Sequence, residues 1–77
     1  MKRLSECEKC STVRVVKIDT SGPLKQRLIS LGIMKDVSIR VLAHTAAKGT
    51  MEVKVGKMQI ALRAQEASLI EVEEIEK

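Results

Sequence analysis

Two cysteines and one histidine are the side chains best equipped for chemistry in this 77-residue sequence. Cys7-Glu8-Lys9-Cys10 spaces its thiols as a chelating or redox pair would. A structural zinc site needs four ligands, and neither a second CxxC nor a histidine pair follows. His44 could add a third ligand for iron or zinc if folding brought it to the thiols, and a dimer could complete the set. A redox pair of the thioredoxin kind follows a strand in a βαβ setting, whereas this pair precedes the first predicted strand. The favoured reading is ordinary thiols, then adventitious or dimer-shared metal, then redox chemistry. No cofactor is required on this reading, and Cys7, Cys10 and His44 are the only metal candidates.

Nothing else assembles into a catalytic set. His44 has no second imidazole and no ordered nucleophile at a telling spacing. Gly56-Lys57 superficially resembles the end of a phosphate-binding loop, but that motif needs glycine at position 51 and Ser or Thr at 58, and both are Met. The expectation is therefore a protein that is not an enzyme. The chain has no Phe, Tyr or Trp, which removes the aromatic grooves that read proline-rich peptides and the rings that stack single-stranded bases. Nucleic-acid binding would rest on phosphate contacts alone, so no specific nucleic acid is expected.

The elements that must position these residues are mostly strands. Val13, Val15, Val16 and Ile18 mark a first strand over 12–18, with the doubled Val15-Val16 suggesting a bulge or burial on both sides. Ser21 or Gly22 can cap a helix that begins at Pro23, a residue suited to the first helical position. Leu24, Leu28 and Leu31 give that helix one apolar face, and Gly32 ends it. Period-two alternation then marks strands around 37–41, 51–55 and 58–62, the last two joined by the Gly56-Lys57 turn. His44 to Gly49 reads as a flexible loop, Ala64–Ala67 as one helical turn, and 69–72 as a final strand before a tail that frays. Five short strands with a single short helix between the first and second predict a mainly β, five-stranded small barrel, one domain over 1–77.

Charge is distributed unevenly. Residues 1–63 hold 13 Lys/Arg against 5 Asp/Glu, a balance of +8, while 64–77 hold 1 against 5, a balance of −4. A basic body of this kind favours an acidic partner or an anionic membrane surface. No apolar run approaches the ~20 residues of a spanning helix, and the start Met1-Lys2-Arg3-Leu4 lacks the apolar stretch of a secretory signal. Two cysteines do not make a disulfide scaffold. The expected setting is the bacterial cytoplasm.

Two segments resemble a known family. Arg27-Leu28-Ile29-Ser30-Leu31-Gly32-Ile33 with the strand Val37–Val41, and Ile60-Ala61-Leu62-Arg63-Ala64-Gln65-Glu66-Ala67-Ser68-Leu69-Ile70-Glu71-Val72, are similar to FeoA, the small component of bacterial ferrous-iron uptake. Leu4-Ser5-Glu6 matches the family's opening. The resemblance implies an SH3-like barrel, transition-metal transport, and a protein–protein role beside FeoB, the inner-membrane transporter with a GTP-binding domain. It would keep the protein at the inner membrane through that partner, without a span of its own. Cys10 and Asp36 stand where the family commonly has glycine, and Cys7 stands where it is often apolar, as a small buried hydrophobe would be.

Lys25, Arg27 and Arg63 are the candidate partner contacts. Two other readings stay open: a metal-responsive regulatory domain, like the SH3-like C-terminal part of iron-dependent repressors, and a small basic RNA-binding barrel.

Overall fold

The computed structural model describes residues 2–45 and 49–76. In chain order the strands are β1 (Lys2–Arg3), β2 (Thr12–Ile18), β3 (Ser38–Thr45), β4 (Thr50–Val55), β5 (Met58–Arg63) and β6 (Ile70–Glu76). Leu4–Glu6 forms a 3-10 turn, and the α-helices are α1 (Pro23–Ser30) and α2 (Ala64–Ala67). One antiparallel sheet runs in the order β1-β6-β2-β3-β4-β5. The chain is mainly β with one short helix of consequence between two strands, as the alternation predicts.

The strand count differs by one from the sequence expectation. Lys2–Arg3 pairs with Val72 and Glu71 of β6, and two residues are too few to leave a period-two signature. β1 and β5 end the strand order without pairing with each other, so the SH3-like arrangement is not a fully closed barrel.

The core is aliphatic, and alternation builds it. Val13 and Val15 of β2, Ile39 and Val41 of β3, Met51, Val53 and Val55 of β4, and Ile70 and Val72 of β6 are all buried. The doubled valine does mark a bulge: the β2–β6 register shifts between Val15 and Lys17, leaving Val16 as the additional residue. On the edge strand β5 the expected inward series weakens toward the turn. Leu62 is fully buried and Ile60 is packed against the core, but Met58 is 53% exposed.

Two further expectations are corrected. The acidic tail is not frayed: β6 runs on to Glu76, with Glu73 and Glu74 opposite Arg14 and Val13 of β2. His44 is not in a loop but in β3, opposite Met51. The rest of the expected 44–49 loop, at 46–48, lies outside the described residues.

The helix ends as glycine chemistry demands. Gly32 adopts φ +89°, its N–H reaches the Ile29 carbonyl at 2.9 Å, and the Ile33 N–H reaches the Leu28 carbonyl at 3.0 Å. This double closure satisfies the last carbonyls of α1 and buries Leu28 and Ile33 completely. Leu31 falls at the C-cap, one residue beyond the helix. Two residues other than glycine also hold positive φ, Cys10 at 70° and Asp36 at 72°. They are the two positions at which the family resemblance implies glycine.

Candidate functional site

The thiols and the histidine come from different elements. Cys7 follows the 3-10 turn and is 2% exposed, its Sγ donating to the Arg3 carbonyl at 3.6 Å. Burial pushes this thiol above its ordinary value, with smaller upward effects from Glu74 and Glu6 opposed by Lys2. Cys7 thus packs as a small hydrophobe among Leu4, Val13 and the other core side chains. Cys10 is exposed, and its N–H bonds to the Val41 carbonyl at 2.8 Å, tying the left-handed turn to β3. The fold does bring His44 to this turn, with Nε2 at 2.7 Å from the Cys7 carbonyl oxygen. It meets the peptide rather than the sulfur. Among the described residues no three His, Cys, Asp or Glu side chains converge on a place that could hold a metal ion.

The three basic candidates lie on α1 and at the start of α2, and all are exposed. Arg27 is committed within the fold: its guanidinium pairs with Glu66 of α2, a carboxylate only 5% exposed. The other oxygen of Glu66 accepts the Arg63 N–H at 3.0 Å, satisfying one of the free donors at the start of α2. One buried carboxylate therefore fixes α1 against α2 and presents Arg27 in a set orientation. The sequence suggests Arg27 and Arg63 as candidates but not Glu66, for which the Arg-x-x-Glu spacing is the available signal; Arg3-Leu4-Ser5-Glu6 repeats it, with Glu6 accepting the Arg3 N–H at 2.9 Å. Lys25 stands apart, one turn from Ile29 on the face of α1 that looks across to β2.

Three further acids are also used internally. Glu73 pairs with Arg14 at 2.5 Å, Glu74 with Lys2 at 2.6 Å, and Asp19 with Arg3 at 3.3 Å. The Glu74 hydrogen bond and charge raise the pKa of Lys2. By contrast Lys9, Lys17, Lys25, Lys35, Arg40, Lys54, Lys57 and Arg63 have no ion-pair partner among the described residues. The acidic end of the sequence is folded onto the cations of β1 and β2, and the positive charge that remains is spread from β2 and α1 to β3, β4 and β5. No helix among the described residues is long and apolar enough to cross a membrane.

Comparison with known proteins agrees with this architecture over the whole chain. A relative described as "Putative Fe(2+) transport protein A" from Helicobacter pylori (strain J99) is 33% identical over 72 residues, 92% of each chain. The solution structure of iron(II) transport protein A from Clostridium thermocellum superposes with a TM-score of 0.90 at 29% identity, over 95% of this chain and 45% of that one. The crystal structure of an iron uptake regulatory protein (FeoA) does so with a TM-score of 0.86 at 26% identity, over 96% of each. A manganese-dependent transcriptional repressor shares the fold over 41% of its length, with a TM-score of 0.90 and 27% identity. The FeoA domain model matches residues 2–74, and with these relatives it shows that the chain belongs to the FeoA domain family.

Proposed function

We propose that this protein is a non-enzymatic accessory of ferrous-iron uptake that docks, from the cytoplasm, on a FeoB-type inner-membrane transporter and modulates it. The observation that carries the reading is the division of charge. Glutamates of α2 and β6 are consumed by Lys2, Arg3, Arg14 and Arg27, while eight other described cations, Lys9, Lys17, Lys25, Lys35, Arg40, Lys54, Lys57 and Arg63, are left without acids. Unpaired surface cations attract an acidic partner and speed encounter, but contribute little to stability. Lys25, Arg27 and Arg63 are the proposed contacts, Arg27 in the orientation Glu66 imposes.

The test is binding of the purified protein to the full-length transporter in vesicles and to its soluble GTP-binding domain, with and without guanine nucleotide. Saturable binding that weakens between 50 and 300 mM salt is the expected outcome. No saturable binding to either form at low salt refutes the reading.

The likeness to a manganese-dependent repressor supports a second reading, a metal-responsive regulatory domain. Calorimetric titration with Mn2+, Fe2+ and Zn2+ tests it. Stoichiometric binding abolished by Cys7→Ser with Cys10→Ser would establish it, and no heat at millimolar metal would dispose of it.

A further inference from the structure

We propose that the groove between β2 and α1 is the docking site itself, and that its occupant is a short acidic segment of the partner protein anchored by one or two large apolar side chains. This rests on the docking reading above and deepens it. Val16, Ile29 and Met34 line the groove, and Lys17, Lys25 and Lys35 stand around it. Met34 is 47% exposed, although Ile33 beside it is completely buried. Val16 faces the groove because alternation with the buried Val13 and Val15 turns it to the other face of β2, and the bulge that follows lies at this same point of the strand.

The lining and the rim demand different things of an occupant. An exposed, conformationally adaptable methionine beside two branched aliphatics accepts apolar anchors of varied shape. Three lysines without acids around one apolar strip repel each other and are relieved by carboxylates. A concave strip between a strand and a helix suits a narrow peptide better than a flat bilayer. The acidic strand β6 of a second copy is a poor candidate, since Glu71, Glu73 and Glu74 are already held by Arg3, Arg14 and Lys2.

The experiment measures affinity for transporter-containing vesicles, with transporter-free phosphatidylglycerol vesicles alongside. The groove variants are Lys17→Glu/Lys25→Glu/Lys35→Glu, its milder counterpart with Gln at the same three positions, and Met34→Ala. A matched control, Arg40→Glu/Lys54→Glu/Lys57→Glu, changes the same charge elsewhere. Circular dichroism confirms folding of each, and the Gln set decides should the Glu set unfold. The expected result is a loss of about tenfold or more for the groove triple, about threefold for Met34→Ala, and less than about twofold for the control. Wild-type binding that none of the three groove variants weakens overturns the groove while leaving the docking reading intact. Equal losses in groove and control triples overturn it in favour of diffuse electrostatics. Equally tight binding to lipid alone overturns it in favour of the membrane. No wild-type binding to transporter vesicles removes both the groove and the docking reading.

Discussion

Replacing Cys10 by glycine should stabilise the fold, although it deletes a side chain. Cys10 holds φ +70°, where a β-carbon crowds the following carbonyl at a cost of about 1–2 kcal/mol. Its side chain is exposed, so little burial is lost, and the N–H that bonds the Val41 carbonyl at 2.8 Å is unchanged by the substitution. Against the gain stands the greater freedom of glycine in the unfolded chain, about 0.5–1 kcal/mol. The net expectation is about 0.5–1 kcal/mol of stabilisation, or roughly 2–8 °C in Tm for a domain of this size. Cys10→Ala is the decisive reference: it removes the same sulfur but keeps the strained β-carbon. Thermal and urea unfolding under reducing conditions should rank Gly above Ala by about 1 kcal/mol. If Cys10→Gly is no more stable than Cys10→Ala, the strain argument at this turn is wrong.

Asp36→Gly, at φ +72°, should gain less than Cys10→Gly, because aspartate tolerates this conformation better and Arg14 loses the longer of its two ion pairs, at 3.6 Å; the two urea midpoints give the order. Glu66→Ala should lose about 1–3 kcal/mol, since it frees the Arg63 N–H and unpairs Arg27, while Glu66→Gln keeps an acceptor for the N–H and should fall between; denaturant titration measures both. In native protein, alkylation with iodoacetamide should modify the exposed Cys10 well before the buried Cys7, read by mass spectrometry. Burial disfavours the Cys7 thiolate, so the native thiol keeps its proton to higher pH than the unfolded one. That contribution is complete below the ordinary value of 9.0 and is lost as pH rises beyond it, so the alkaline slope of stability should flatten in Cys7→Ala.

The candidate contacts are proposed from residue types, and what those types leave out is informative. Lys25 and Arg27 are recognisable as outward cations of a helix, and Arg63 as the outward end of a strand. Whether a cation is free or spent is not, because ion pairing depends on what the sheet brings opposite. Arg27 meets Glu66 from 39 positions away, and Arg14 meets Glu73 only because β6 lies against β2. Cys7-Glu8-Lys9-Cys10 advertised a paired chemistry that its geometry divides, one thiol in the core and one at the surface. His44 does approach that turn, yet by way of a peptide carbonyl, a contact for which sequence carries no pattern.

The elements themselves follow from local rules. Period-two alternation places Val13, Val15, Ile39, Val41, Met51, Val53 and Leu62 inside, the doubled Val15-Val16 marks where β2 bulges against β6, and Gly32 closes α1 through bonds within a few residues. What only the tertiary structure decided is long-range pairing: Lys2–Arg3 as a strand, the acidic tail as the partner of β2 rather than a frayed end, and the open order from β1 to β5. These depend on backbone hydrogen bonds and charges meeting across most of the chain, and a sequence holds both partners of such a pair without recording that they meet.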